Sequence, residues 1–233
     1  MMKNRLFLFF TIVWIQIYSQ QSQIQYLSGT DAHNTVPWEF YCSDGMNSKQ
    51  WTTIAVPSCW EQQGFGQYQY GRDPFEERLK EVGTYKHDFS VPKNWNSKEV
   101  LIVFEGVMTD AKVKINGKVV GPIHQGAFYE FHYDISRFLH YGKQNTLEVE
   151  VKKFSDNESV SFAERKADYW VFGGIFRPVY LEAKPRKNIQ RVAIDARADG
   201  SFKADVFTSQ SDKSAELDIE FSLDKEETKY IKR

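Results

Sequence analysis

Cysteine is nearly absent: the 233 residues hold two, Cys42 and Cys59. Two thiols cannot build a zinc site by themselves, and a disulfide scaffold needs more of them. An exported chain permits a Cys42–Cys59 bridge. Two separately buried thiols fit equally, because geometry decides and sequence does not show it. Charge of one sign is also not in excess. Lys and Arg number 30 against 31 Asp and Glu, a net charge of −1. No basic block points to nucleic acid, and no like-charge tail to a solvated arm. There is no long amphipathic helix and no internal repeat. The apolar run at the start, Leu6 to Ile17, is too short to span a bilayer as a helix. Lys3 and Arg5 precede it, so residues 1–20 read as a signal peptide, with cleavage near Ser19-Gln20-Gln21. No cysteine follows the run, which argues against a lipoprotein. The expectation is an exported protein, periplasmic or secreted, that keeps no membrane contact after cleavage.

What the chain does have is aromatic residues, 15% of the total, and short alternating runs. Trp51 to Trp60 alternates and breaks at Pro57, which cannot donate to a ladder, so this strand ends there or runs at an edge. Gly83 to Val91 places Tyr85, His87, Phe89 and Val91 on one face, which makes His87 a strand-face residue before it is a ligand. Glu99 to Val107 is a near-continuous apolar run, as a central buried strand requires. Val113 and Ile115 alternate with lysines ahead of Asn116-Gly117, the two φ > 0 positions of a type I′ hairpin. Asp134 is expected to cap one short helical turn that ends at Gly142, and Thr146 to Val151 to form a strand. Phe154 to Lys166 is polar and reads as irregular. Pro185 marks a boundary. Beyond it lie Ile189 to Arg197, Ser201 to Thr208 and Ala215 to Leu223, then a charged run, Asp224 to Lys229. The pattern is all-β throughout.

The densest stretch is Asp168 to Leu181, DYWVFGGIFRPVYL. Gly173 and Gly174 form a turn between an aromatic loop (Tyr169, Trp170, Phe172) and a run in which Ile175, Val179 and Leu181 share a face. A carboxylate accepts hydroxyl hydrogen bonds, and an indole or phenol face covers sugar C–H groups. Asp168 beside two aromatics therefore suits a sugar. Trp170 and Phe172 plugging the end of a sandwich core is the alternative, and residue types alone do not separate the two.

Seven ordered motifs add up to a family pattern. They are WTTIAVPSCW, GTYKHDFSVP, VLIVFEGV, VKINGKVVG, FHYDIS, NTLEVEV and WVFGGIFRPVYL. Together they strongly resemble the N-terminal sugar-binding domain of glycoside hydrolase family 2, the β-galactosidases, β-glucuronidases and β-mannosidases. The loop styles are most similar to exported Bacteroidetes members of β-galactosidase type. The resemblance implies a jelly-roll β-sandwich of galactose-binding-like form over residues 22–185, followed at 186–233 by the start of an immunoglobulin-like sandwich. It implies that Asp168, two residues before Trp170, reaches a substrate held in a separate (β/α)8 barrel. It implies that the loop from Gln67 to Tyr70 reaches the same place, and that Arg177 serves a domain interface. Substrate-binding residues expected on this basis are Asp168, Trp170, Gln67 and Tyr70.

Family hydrolysis implies a retaining pair of glutamates on that barrel. A barrel takes about 250 residues, and the stretch after Pro185 is short and strand-like. None of Glu61, Glu76, Glu77, Glu105, Glu130 and Glu164 lies in a catalytic motif of the family, and Glu76-Glu77 reads as a solvated pair. No catalytic residue, cofactor or metal site is expected here. The implied role is the sugar-binding part of an exported glycosidase acting on a terminal β-linked sugar, a galactoside first, with its barrel elsewhere in cis. A free-standing, non-catalytic carbohydrate-binding module is the alternative, and a surface interaction protein the third reading.

Overall fold

The computed structural model describes residues 22–74, 77–78, 80–209, 218–223 and 226–232. The expected signal peptide, residues 1–20, and Glu76 lie outside them. In chain order the strands of the main body are β1 (Gln23–Tyr26), β2 (Val36–Cys42), β3 (Trp51–Val56), β4 (Gln69–Tyr70), β5 (Val82–Ser90), β6 (Lys98–Phe104), β7 (Val107–Met108) and β8 (Asp110–Ile115). They continue as β9 (Lys118–Val119), β10 (His124–Gln125), β11 (Phe131–Asp134), β12 (Gln144–Lys152), β13 (Trp170–Val171), β14 (Gly174–Ile175) and β15 (Val179–Pro185), with one helix, α1 (Glu158–Arg165).

Two antiparallel sheets form the expected jelly-roll sandwich. One runs β1-β15-β6-β11; the other runs β10-β8-β12-β5-β2-β3, with β9 on β8. The apolar run at Val100 to Phe104 is central in the first sheet and buried on both faces. Strand β3 ends at Val56 and lies on the edge of the second sheet, so both consequences of Pro57 are realised. Asn116 and Gly117 take φ of 51° and 76° and join β8 to β9 in the expected hairpin. Asp134 Oδ1 accepts from Ser136 N at 2.9 Å at the start of a single 3-10 turn, Ser136–Phe138, which ends where Leu139 turns extended and not at Gly142 as expected. Trp38, Phe40, Tyr85, Ile102, Phe104, Leu147, Val149 and Leu181 fill the core between the sheets. His87 stacks on Trp38 at 4.8 Å, and burial pushes its pKa down, as befits a strand-face residue.

Two segments depart from the sequence reading. Residues 158–165 are helical rather than irregular; Asn157 Oδ1 accepts from Ser159 N at 3.0 Å and caps the helix. The helix hides in the sequence because its pattern is inverted. Ser161 and Arg165 are buried, while Phe162 is 63% exposed. Past Pro185, β16 (Ile189–Ala196) pairs with β17 (Phe202–Thr208), and β18 (Asp218–Leu223) with β19 (Glu226–Lys232). The charged run thus continues as strand β19. A ribbon is closed by backbone groups, which put no apolar demand on the side chains.

Cys42 and Cys59 are free thiols, and burial pushes each up to about 11. The thiolate is the reactive form. Iodoacetamide at pH 8 is therefore expected to label Cys42 only after denaturation and the half-buried Cys59 only slowly in the native chain. Mass spectrometry of native and urea-treated protein checks this; rapid labelling of the native chain would contradict the burial.

Candidate functional site

Strand β13 pairs with β4, with Trp170 opposite Tyr70 and Val171 opposite Gln69. Two loops that are far apart in sequence thereby share one lip. Gly71 N donates to Tyr169 O at 2.8 Å and extends the pairing by one bond. Only a glycine fits at 71, since a Cβ there would sit 2.3 Å from Ala167 O. Close backbone approach is what puts the side chains on either side within reach of each other.

At the lip the Tyr70 hydroxyl donates to Asp168 Oδ1, and Arg72 Nη2 stands 3.4 Å from Asp168 Oδ2. The carboxylate hydrogen bond pushes the Tyr70 phenol above its ordinary range. Asp168 and Arg72 are well exposed, at 64% and 69% of their side chains, so the pair is open to a ligand. Rings surround it. Trp170 meets Tyr70 at 5.3 Å and Tyr68 at 6.1 Å, both edge-on, and Tyr68 meets Phe172 at 6.1 Å. Trp170 is 54% exposed, which excludes the core-plug reading for it. The arrangement offers a carboxylate, a phenol and a guanidinium at the edge of an aromatic platform. Such a set accepts and donates hydrogen bonds to vicinal hydroxyls while a ring face covers C–H groups.

Of the four residues expected at the site, Asp168, Trp170 and Tyr70 come together. Gln67 is exposed and lies in the same loop, where its backbone oxygen is held from behind. The holding group is Lys153, fully buried, which donates to Gln67 O at 2.5 Å, Glu61 Oε1 at 2.7 Å and Glu81 Oε2 at 2.7 Å. Glu61 accepts from Gly173 N at 3.1 and 3.2 Å. One ammonium therefore ties both site loops to the end of β12. Burial pushes both glutamates up, and Lys153 draws them back down. Arg78 is a second tie. It donates to Gly71 O at 2.6 Å, Asp73 O at 3.1 Å and Arg165 O at 3.0 Å.

Sequence reasoning missed Arg72, Arg78, Glu81 and Lys153, and weighed Glu61 only as a catalytic residue. A signal existed for Lys153. Leu147, Val149 and Val151 point inward, and Lys153 is the next residue of that parity. The other four carry no local mark.

A family model described as "Glycosyl hydrolases family 2, sugar binding domain" matches residues 27–185. The chain belongs to that family. Glycosyl hydrolase family 2 relatives include a beta-galactosidase of Priestia megaterium, 32% identical over 168 residues, which are 66% of this chain and 16% of that protein. A beta-galactosidase of Thermoanaerobacter pseudethanolicus is 37% identical over 108 residues, 46% of this chain and 14% of that protein. The chain thus spans less than a fifth of the length of these relatives. Among solved structures, an uncultured Clostridium sp. beta-glucuronidase superposes with a TM-score of 0.63 at 22% identity, covering 84% of this chain and 35% of that one. At that identity the likeness shows the sandwich fold. The family match covers residues 27–185 with the family's sugar-binding domain.

Proposed function

We propose that residues 22–185 serve as the sugar-binding domain of an exported glycosidase that removes a terminal β-linked sugar, a galactoside first, and that the catalytic carboxylates belong to a separate domain. The observation that carries this reading is the exposed Asp168 carboxylate on an aromatic lip, with Tyr70 and Arg72 beside it. Asp168 takes up sugar hydroxyls, Trp170 covers a ring face, and Gln67 approaches from the facing loop. The galactoside preference is supported by the beta-galactosidases at 32% and 37% identity. Export is supported by the run Leu6 to Ile17 behind Lys3 and Arg5.

Two surfaces support a further domain in cis. Phe128 is 47% exposed and packs edge-on to Phe176 at 6.3 Å, under the exposed Arg177 guanidinium. Ribbon β16–β17 exposes Ile194 at 65% and Phe202 at 48%. Such apolar exposure marks an interaction face. The chain alone is expected to turn over no nitrophenyl β-galactoside; turnover by the purified protein, abolished by no contaminant control, would overturn the division of labour. Asp168→Ala is expected to weaken galactose binding about tenfold to a hundredfold, the worth of hydrogen bonds to a charged group. Its melting temperature should be unchanged, because the side chain is exposed. Calorimetric titration checks it, and unchanged affinity would remove Asp168 from the site. The exposed aromatics also suit a free-standing binding module, which tight galactoside binding by residues 22–185 alone would favour.

A further inference from the structure

A second concavity lies outside the Asp168 lip. It is a cleft of about 930 Å³ between the N-terminal half of α1, the end of β12 and the approach to β5. Small-molecule sites fall in the range of about 300–1,000 Å³. Phe154 and Phe162 both line it. Phe154 is packed under the Arg78 guanidinium, 5.1 Å from the ring centre. Phe162 is 63% exposed, with Lys166 Nζ 5.1 Å from its ring centre. An aromatic this exposed on an eight-residue helix contributes nothing to the core, and α1 is anchored instead through buried Ser161 and Arg165. Ser155, Ser159 and the Lys152–Asp156 pair, with Nζ and Oδ2 at 2.5 Å, also line it.

The chemistry of this lining is selective. Among the described lining residues Arg78, Lys80 and Lys152 stand against Asp156 and Glu158, because the buried Glu81 is taken up by Lys153; with Lys152 paired to Asp156 the small excess of charge selects neither a polyanion nor a polyamine. Two ring faces cover C–H surface, while hydroxyls, a carboxylate and an ammonium at the rim donate and accept. A purely apolar ligand would leave those rim groups desolvated and unpaired, at a cost. A neutral carbohydrate satisfies both halves. Arg78 connects the two places: it lines the cleft and also holds Gly71 O and Arg165 O behind the Asp168 lip. We propose that this cleft is a second carbohydrate site, which takes neutral pyranose units of an oligosaccharide and is distinct from the lip. The assignment rests on the reading of the domain as carbohydrate-binding, and it adds a place for the rest of the glycan.

The test uses the full chain, expressed from Met1, with galactose and a β-linked galactotetraose as probes. Backbone amide shifts and calorimetry are the readouts. Tetraose is expected to shift the amides of residues 154–162 in addition to those of the lip, and galactose the lip alone. Phe162→Ala is expected to weaken tetraose binding about five- to tenfold, the contribution of one aromatic contact, and to leave galactose binding unchanged. Ser159→Trp, which fills the mouth without removing a packed group, should do the same. Native tetraose affinity in both folded variants, or tetraose shifts confined to the lip, overturns the second site. Trp170→Ala separates this from the primary reading. If it leaves galactose binding intact while Phe162→Ala abolishes tetraose binding, the lip fails and the cleft stands. Absence of binding by both probes overturns both. Shifts at 154–162 with a peptide of matching size and not with tetraose overturn the carbohydrate assignment.

Discussion

Lys153→Met is expected to destabilise the domain by about 3–5 kcal/mol, the cost of removing one partner from a buried ion pair. That is a large part of the ~5–15 kcal/mol by which a native domain is stable. The effect should be large because all three ammonium hydrogens are engaged with oxygen, at 2.5–2.7 Å to Gln67, Glu61 and Glu81. None of the three charged side chains keeps any exposure through which water could replace the lost partner. Methionine fills the volume but leaves two carboxylates buried without a cation. Glu81→Gln is the informative companion. It keeps the Glu61–Lys153 contact and the Glu61–Gly173 bonds, so it should cost less than half as much. Urea denaturation at constant m-value measures both. Equal costs for the two variants would mean that the cluster does not act through Lys153. Because Gln67 and Gly173 hang from the same ammonium, the lysine variant should also lose sugar binding in the fraction that folds, whereas the glutamine variant should keep it.

Gly173→Ala is expected to cost about 3 kcal/mol, the upper part of the range for overpacking a filled core. An added Cβ would lie 2.2 Å from Cζ2 of Trp60 and 2.5 Å from its Cε2. The indole is fully buried and cannot retreat. The backbone at 173 moves aside only by giving up its own bonds, since its N–H donates to Glu61 and its oxygen accepts from Trp60 N at 3.0 Å. The strain is released by shifting the turn, and Trp170 lies three residues away on that turn. Loss of stability should therefore accompany loss of galactose affinity. Gly117→Ala is the control. Nothing lies within 4 Å of its Cβ position, and only its φ of +76° opposes a side chain, a cost of about 1 kcal/mol. If the two variants were equally stable, the Trp60 contact would not be what selects glycine at 173. The two adjacent glycines thus have separate reasons. Gly174 has φ of +124°, the conformational reason the sequence suggests, whereas Gly173 is required by the indole packed against it.

The same division runs through the whole molecule. Strand positions, the Asn116-Gly117 hairpin, the break at Pro57 and the family pattern were legible because each depends on a few neighbouring residues. Period-two burial, a positive φ and a missing amide hydrogen are all local properties. Helix α1 was not legible, because the residues it buries are Ser161 and Arg165 and the one it exposes is Phe162. Strand β19 was not legible either, since ribbon pairing reads backbone and not hydropathy. Asp168 and Trp170 could be singled out by type and order.

Their partners could not. Tyr70 and Asp168 are 98 residues apart, and it is the register of β4 on β13 that makes them neighbours. Lys153, Glu61 and Glu81 look like ordinary surface charges when read along the chain. Only the folded core, by excluding water from all three at once, turns them into the support of the two loops that carry the candidate site. By itself the sequence determined most of the strands of the sandwich, where the chain turns and to which family it belongs, because those are written in short-range patterns. The tertiary structure decided which charges are buried together, which aromatics face solvent and where a second cleft opens, because each of these depends on contacts between segments that are remote in sequence.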